Sequence, residues 1–141
     1  MKNLGIVAMA ALVFGLVACD DSSGASGSAI CEVTRTATTV KVVNDIPGLA
    51  GYNSTVTDQG SYVTIESEFW YEKQSYADSD CAKWKETESR WRDGSVKVTC
   101  SGKSVYVSEY DEGTLNSHER SFNEMCEDFW VDYNNGAYDN F

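Results

Sequence analysis

Few side chains in this sequence could carry acid–base chemistry. His118 is the only histidine among the 141 residues, so a nucleophile activated by an imidazole would have to be assembled around it. No G-x-S-x-G motif of a hydrolase nucleophile is present. The surrounding pattern places His118 in the first turn of a predicted helix, and we interpret it as a flanking surface residue.

Glu88 has the surroundings that a general acid needs. It falls between Trp84 and Trp91 on the apolar stripe of a predicted helix, and a carboxyl group among indoles would have a raised pKa. The alternative is that its stem packs while its head reaches Arg35, Lys41 or water at the rim. No second carboxylate can be placed beside it. The sequence therefore favours a protein that is not an enzyme, with a hydrolase using Glu88 as an alternative.

The acidic tail faintly resembles a calcium loop. Residues 132–139 (DYNNGAYD) carry oxygen ligands at alternate positions, but the glutamate expected at position 12 of such a loop is missing. We therefore expect a solvated tail. Because no C-x-x-C pair exists, a zinc site would need four scattered thiolates. We predict that the protein has no metal and no cofactor.

Cys19 lies at the border between an apolar run and a polar one. Residues 4–17 are apolar after a short N-terminal stretch that contains Lys2, which suits a signal peptide but is shorter than the roughly 20 residues of a membrane-spanning helix. The run ends in Leu16-Val17-Ala18-Cys19. This motif resembles the lipobox of bacterial lipoproteins, in which Leu, an apolar residue and Ala or Gly precede the lipidated cysteine.

The resemblance implies a membrane anchor and a division of the chain. In that family the cysteine thiol carries diacylglycerol, the signal is cut just before it, and the new amino terminus is acylated. Residues 1–18 are then the signal peptide, 19–29 the lipidated Cys19 and a Gly/Ser linker, and 30–141 one globular domain. The expected location is the bacterial cell envelope, on a membrane through the acyl chains of Cys19, facing the periplasm or the cell surface.

The charge of the chain limits its partners. Lys and Arg number 11 against 22 Asp and Glu, a net charge of −11. Nucleic acid binding needs basic side chains to displace counterions, so the composition argues against it. Adsorption on anionic lipid is disfavoured for the same reason. The ten linker residues after Cys19 would span about 18 Å.

Four further cysteines predict two disulfides in an oxidising compartment. They are Cys31, Cys81, Cys100 and Cys126. Four cysteines allow three pairings, which the sequence does not resolve. Counting the rise of each predicted element places all four at one end of the sheet. We predict Cys31–Cys81 and Cys100–Cys126, one disulfide for each hairpin and the helix that follows it.

Hydrophobic periodicity predicts an α+β domain, an antiparallel β-sheet with two amphipathic helices on one face. Strands are expected at 30–43 (with a bulge or a strong bend near 36–39), 52–57, 61–72 and 95–100. The last strand enters a hairpin turned by Ser101-Gly102 that pairs Val98 with Val105. The first helix has the stripe Ala77, Cys81, Trp84, Glu88 and Trp91, capped by Asp78 or Ser79. The second has Leu115, Phe122, Cys126, Phe129 and Tyr133, capped by Ser117 and ended by Gly136.

The uncovered face of this sheet is the predicted binding face. Its candidate residues are Tyr62, Glu66, Glu68, Trp70, Tyr106 and Tyr110. Aromatic rings between carboxylates can stack on sugar rings or anchor a protein, although Tyr and Trp also favour strands for structural reasons. We predict a binding or structural module whose ligand is a glycan or an envelope protein. A protein-recognition or inhibitor module is an alternative.

Overall fold

The computed structural model describes residues 28–139, which form six strands and two helices. In chain order the elements are β1 (Ile30–Arg35), β2 (Thr39–Ile46), β3 (Ala50–Asp58), β4 (Val63–Tyr71), α1 (Gln74–Arg90), β5 (Val96–Ser101), β6 (Ser104–Asp111) and α2 (Leu115–Asn134).

The strands form one antiparallel sheet in the order β1-β2-β3-β4-β6-β5, so that β1 and β5 are its edges. Helix α2 packs on β1, β2 and β3, and α1 packs on β4, β6 and β5. The residues that face the helices include the fully buried Val42, Ile65 and Val105. The predicted α+β fold, with both helices on one face of an antiparallel sheet, is confirmed.

The first predicted strand is two strands. The chain turns between Thr36 and Thr39, where the Thr36 N–H donates to the Thr39 carbonyl at 2.9 Å and the Thr39 N–H donates to the Thr36 hydroxyl at 3.0 Å. Buried positions change from odd to even numbers because the chain reverses there, with Val33 opposite Val42. The predicted single strand is therefore wrong, and a full reversal of the chain replaces the bulge or strong bend expected near residues 36–39.

The β5–β6 hairpin turns one residue later than predicted. Gly102 and Lys103 form the loop, with φ of 56° at Gly102, and Val98 lies opposite Val107 instead of Val105. A shift of two residues between partners leaves every side chain on its predicted face, because the side-chain period of a strand is two.

Both helices begin earlier than their predicted caps. Helix α1 begins at Gln74, with Lys73 as an N-cap that makes no side-chain bond. Helix α2 has Thr114 at its N-cap, and Ser117 is its partner in a reciprocal capping box. Gly136, with φ of 73°, follows the helix end as predicted.

The disulfides join Cys31 to Cys126 and Cys81 to Cys100, so the predicted pairing is wrong. Cys31 and Cys100 lie in one row across the sheet, on its two edge strands, and five strand spacings separate them by roughly 24 Å. Each is within reach only of the helix above its own edge. The prediction paired each strand cysteine with the cysteine of the helix that follows it in the sequence. It failed because α2 crosses back over the sheet and packs on β1.

Candidate functional site

The candidate residues of the binding face share the side of the sheet that the helices leave uncovered. Across β4 and β6, Thr64 pairs with Tyr110, Glu66 with Ser108 and Glu68 with Tyr106. We call Tyr62, Glu66, Glu68, Trp70, Tyr106 and Tyr110 the aromatic–carboxylate stripe. Its position follows from strand alternation, because the other side of β4 carries the buried core residues.

Exposed tyrosines lie at both ends of the β6 part of this stripe. Tyr62 and Tyr110 meet edge to face with ring centroids 5.8 Å apart, and 41% and 54% of their surfaces remain exposed. Tyr106 is 42% exposed. Tyr110 follows Tyr106 by four positions, a distance of about 14 Å along the strand. The stripe is therefore long enough for two or more sugar units or a short peptide.

Two carboxylates lie between these rings, and neighbouring strands hold both of them. The Ser108 hydroxyl donates to Glu66 at 2.7 Å. The Asn53 amide lies 3.5 Å from Glu68, which is a long contact. Each carboxylate has further acceptor capacity, so both can accept hydrogen bonds from hydroxyl or N–H groups of a ligand.

Trp70 lies flat on the sheet across Gly51. A Cβ added at Gly51 would collide with the indole ring, so the ring occupies the place where a side chain would be. Its Nε1 donates to Asp45 Oδ1 at 3.2 Å. Trp70 is on the predicted face, but its indole is half-buried and held in place instead of projecting freely into solvent.

Glu88 does not have the raised pKa of a general acid. Its carboxylate accepts from Lys85 Nζ at 2.8 Å and from the Val98 N–H at 2.9 Å. The Lys85 bond, followed by the Val98 bond, lowers the pKa of Glu88. The hydrolase that would use Glu88 therefore loses the physical premise on which it rested.

Glu88 and Lys85 instead cover the backbone of an edge strand. Glu88 accepts from the Val98 N–H, and Lys85 donates to the Val98 carbonyl at 2.5 Å. These two backbone groups of β5 would otherwise point toward solvent, where another strand could pair with them. The pair thus has a structural role that protects one edge of the sheet.

His118 is buried, with 3% of its surface exposed, so its interpretation as a surface residue is wrong. Its Nε2 lies 3.0 Å from Asp111 Oδ2. Burial lowers the pKa of His118, and Asp111 partly opposes that effect. The signal was present in the sequence, because His118 lies three residues after Leu115 and four before Phe122 on the apolar stripe.

Two carboxyl groups that the sequence pattern does not single out are buried. Asp80 is 1% exposed on the inner side of α1 and accepts from the Tyr71 hydroxyl at 2.6 Å; burial raises its pKa. Glu109 is 7% exposed on β6, and one of its oxygens has no hydrogen-bond partner among the described residues. Burial, helped by the charge of Asp111, raises the pKa of Glu109 to about 7.

The acidic tail does not form a calcium loop. Asp132, Tyr133 and Asn134 belong to α2, so they lie on a helix and not on a loop that could wrap around an ion. Tyr138 packs against Phe129 with ring centroids 5.9 Å apart. Between residues 28 and 139, no group of three or more His, Cys, Asp or Glu side chains is arranged to hold a metal ion.

The chain matches no protein-family model, no curated protein and no solved structure. The predicted signal peptide, Cys19 and most of the predicted linker lie outside the described residues. Neither helix of the described part is long and apolar enough to cross a membrane.

Proposed function

We propose that the protein is a lipid-anchored binding module of the bacterial envelope, and that its ligand is a glycan bound on the aromatic–carboxylate stripe. The lipobox at residues 16–19 supports the anchor and the location. The exposed rings of Tyr62, Tyr106 and Tyr110, with the carboxylates of Glu66 and Glu68 beside them, support the binding role.

The observation that carries this proposal is the position of Trp70. Gly51 leaves room for the indole to lie flat on the backbone, and Asp45 fixes its orientation. One face of the ring rests on the sheet, so the other face is a flat apolar platform. Such a platform stacks on the C–H face of a sugar ring at a small entropic cost.

The neighbouring groups suit the rest of a sugar. Glu66 and Glu68 accept hydrogen bonds from hydroxyl groups, and Tyr106 offers both a ring face and a phenol. The carboxylates disfavour an acidic glycan, because like charges repel. We therefore expect a neutral or amino sugar chain.

A glycan array with the chain from Cys19 onward tests this proposal, and Trp70→Ala is the decisive variant. Binding to neutral or amino glycans that falls at least tenfold in Trp70→Ala is expected. Trp130→Ala is the matched control, because that half-exposed tryptophan lies on α2, away from the stripe. Loss of the Gly51 packing and the Asp45 bond destabilises Trp70→Ala by about 1–2 kcal/mol, so binding is measured where both variants are folded.

Two results would contradict the proposal. One is unchanged glycan binding in Trp70→Ala. The other is no glycan binding, together with capture of one envelope protein in stoichiometric amount, which would favour the protein-recognition module instead.

A further inference from the structure

The start of the described chain and the end of the last helix lie at the same end of the sheet. Strand β1 begins there, and α2 runs antiparallel to β1. Two contacts fix that direction: Arg35 meets Glu119 at 2.6 Å, while Cys31 and Cys126 are 5.4 Å apart at their Cα atoms. We call this end, with Ser28, Ile30, Trp130 and Val131, the tether end.

Trp130 and Val131 lie level with the point where the chain enters the domain. They follow Cys126 by four and five residues, a rise of about 6–7.5 Å along the helix. Ala29 lies two residues before Cys31, which is about 7 Å along an extended strand at about 3.4 Å per residue. This distance matches the rise of the helix from Cys126 to Trp130 and Val131. The residues that lead to the lipidated cysteine thus join the domain beside these two side chains.

Apolar surface is exposed at the tether end. Val131 is 59% exposed, Ile30 37% and Trp130 36%. Trp130 also touches Phe129 and Tyr133, with ring centroids 5.0 and 5.8 Å away. Its ring is therefore anchored on its inner side and presented outward.

We propose that the tether end rests on a lipid surface, with Trp130, Val131 and Ile30 in the interfacial region of the bilayer. This inference depends on the lipid anchor of the proposed function. The ten linker residues predict a span of about 18 Å, so the anchored domain stays close to the membrane and meets it with the end from which the linker leaves. Tryptophan is the side chain most suited to the membrane–water interface.

The charges near the tether end indicate which lipid surface it contacts. Asp128 and Asp132 lie in the same last turns of α2 as Trp130, two residues before and after it, and the whole chain has a net charge of −11. An anionic bilayer would repel these groups. The proposed surface is therefore zwitterionic, as in a phosphatidylethanolamine or phosphatidylcholine bilayer.

This contact would orient the binding face. Ile30 and Trp70 lie in the sheet row nearest the membrane, joined through Asp45 and Gly51. Tyr110 lies at the opposite end of the strands. The aromatic–carboxylate stripe then extends away from the bilayer, with its tyrosine end outermost.

Fluorescence quenching by brominated phosphatidylcholine tests the contact. The chain from Cys19 is coupled through that thiol to maleimide lipid in the vesicles, because the other four cysteines are in disulfides. This chemical tether makes the result independent of lipidation in the cell, and of glycan binding. We expect brominated lipid to reduce the tryptophan emission of the tethered protein.

Two tryptophan variants locate the contact. Both variants are made in a Trp70→Phe background, because Trp70 lies in the sheet row nearest the membrane and would itself be quenched. In that background Trp130→Phe should abolish the quenching, while Trp91→Phe, at the opposite end of the domain, should keep it. Phenylalanine preserves the aromatic packing at position 130, so the variant remains folded. Vesicles of phosphatidylglycerol should give weaker quenching. Quenching that is absent, that survives in Trp130→Phe, or that is stronger on anionic vesicles would overturn the proposal.

Discussion

At the residue scale, Glu109 makes the stability of the fold depend on pH. Its pKa rises from 4.5 to about 7 on folding, so the folded state binds more protons than the unfolded chain between those values. The contribution of Glu109 to stability should therefore fall by about 3 kcal/mol as pH rises from about 4.5 to 7. Urea denaturation across this pH range measures the change.

Glu109→Gln should remove most of this slope and stabilise the protein above pH 7, because a neutral amide occupies the same place. Glu112→Gln, at an exposed position on the next turn, is the control and should keep the slope. An unchanged slope in Glu109→Gln would show that another group is responsible.

The sequence interpretation gave His118 and Glu88 the wrong environments, for different reasons. His118 could have been assigned to the core from its spacing. Glu88 could not, because its role depends on the Val98 backbone, which the packing of α1 on β5 brings within reach. In contrast, alternation along β4 was sufficient to place Glu66, Glu68 and Trp70 on the open face. Sequence periodicity predicts a face, whereas a pKa depends on tertiary contacts.

At the element scale, the two disulfides should differ in their contribution. The Cys31–Cys126 bond closes a loop with a sequence separation of 95, against 19 for Cys81–Cys100. Loop entropy predicts stabilisation of about 4.6 kcal/mol for the longer loop and about 3 kcal/mol for the shorter one. Replacing both cysteines of one bond by serine and measuring urea unfolding should give this order.

Peptide mapping without reduction tests the connectivity directly. It should recover the two crosslinked peptides of the described pairing, whereas a Cys31–Cys81 peptide would refute it. The fold class, and the position of the four disulfide cysteines at one end of the sheet, were predictable from local pattern. The pairing was not, because it depends on which strands form the edges of the sheet.

Lys85 and Glu88 of α1 cover the backbone of the edge strand β5. The double variant Lys85→Ala/Glu88→Ala exposes the Val98 N–H and carbonyl, so we expect concentration-dependent self-association through β5. Sedimentation velocity measures it. Glu86→Ala/Arg90→Ala is the matched control, because it removes another ion pair from the same helix without exposing the edge. Equal association of both variants would mean that exposure of the edge backbone is not the cause, and would contradict the protective role of Lys85 and Glu88.

At the scale of the whole molecule, the order of the elements separates the predicted anchor from the described fold. Every helix and strand of the described part begins at Ile30 or later, and the core cluster found among residues 28–139 begins at Ala29. The predicted lipobox, in contrast, rests on four consecutive residues, because signal peptides are recognised as local sequence. The two halves of the proposed function therefore rest on different parts of the chain and can fail separately.

This separation gives the prediction for Cys19. Mass spectrometry of the membrane fraction should find a mature chain that begins at Cys19 with acyl groups attached, since one acyl chain alone holds a protein only reversibly. Cys19→Ser should yield a soluble protein whose circular dichroism and urea unfolding match those of the lipid-free wild-type domain. Ser22→Ala, three residues into the linker, is the control and should leave the chain in the membrane. A wild-type chain that is as soluble as Cys19→Ser would refute the lipobox, while the glycan-binding test of the aromatic–carboxylate stripe would remain valid.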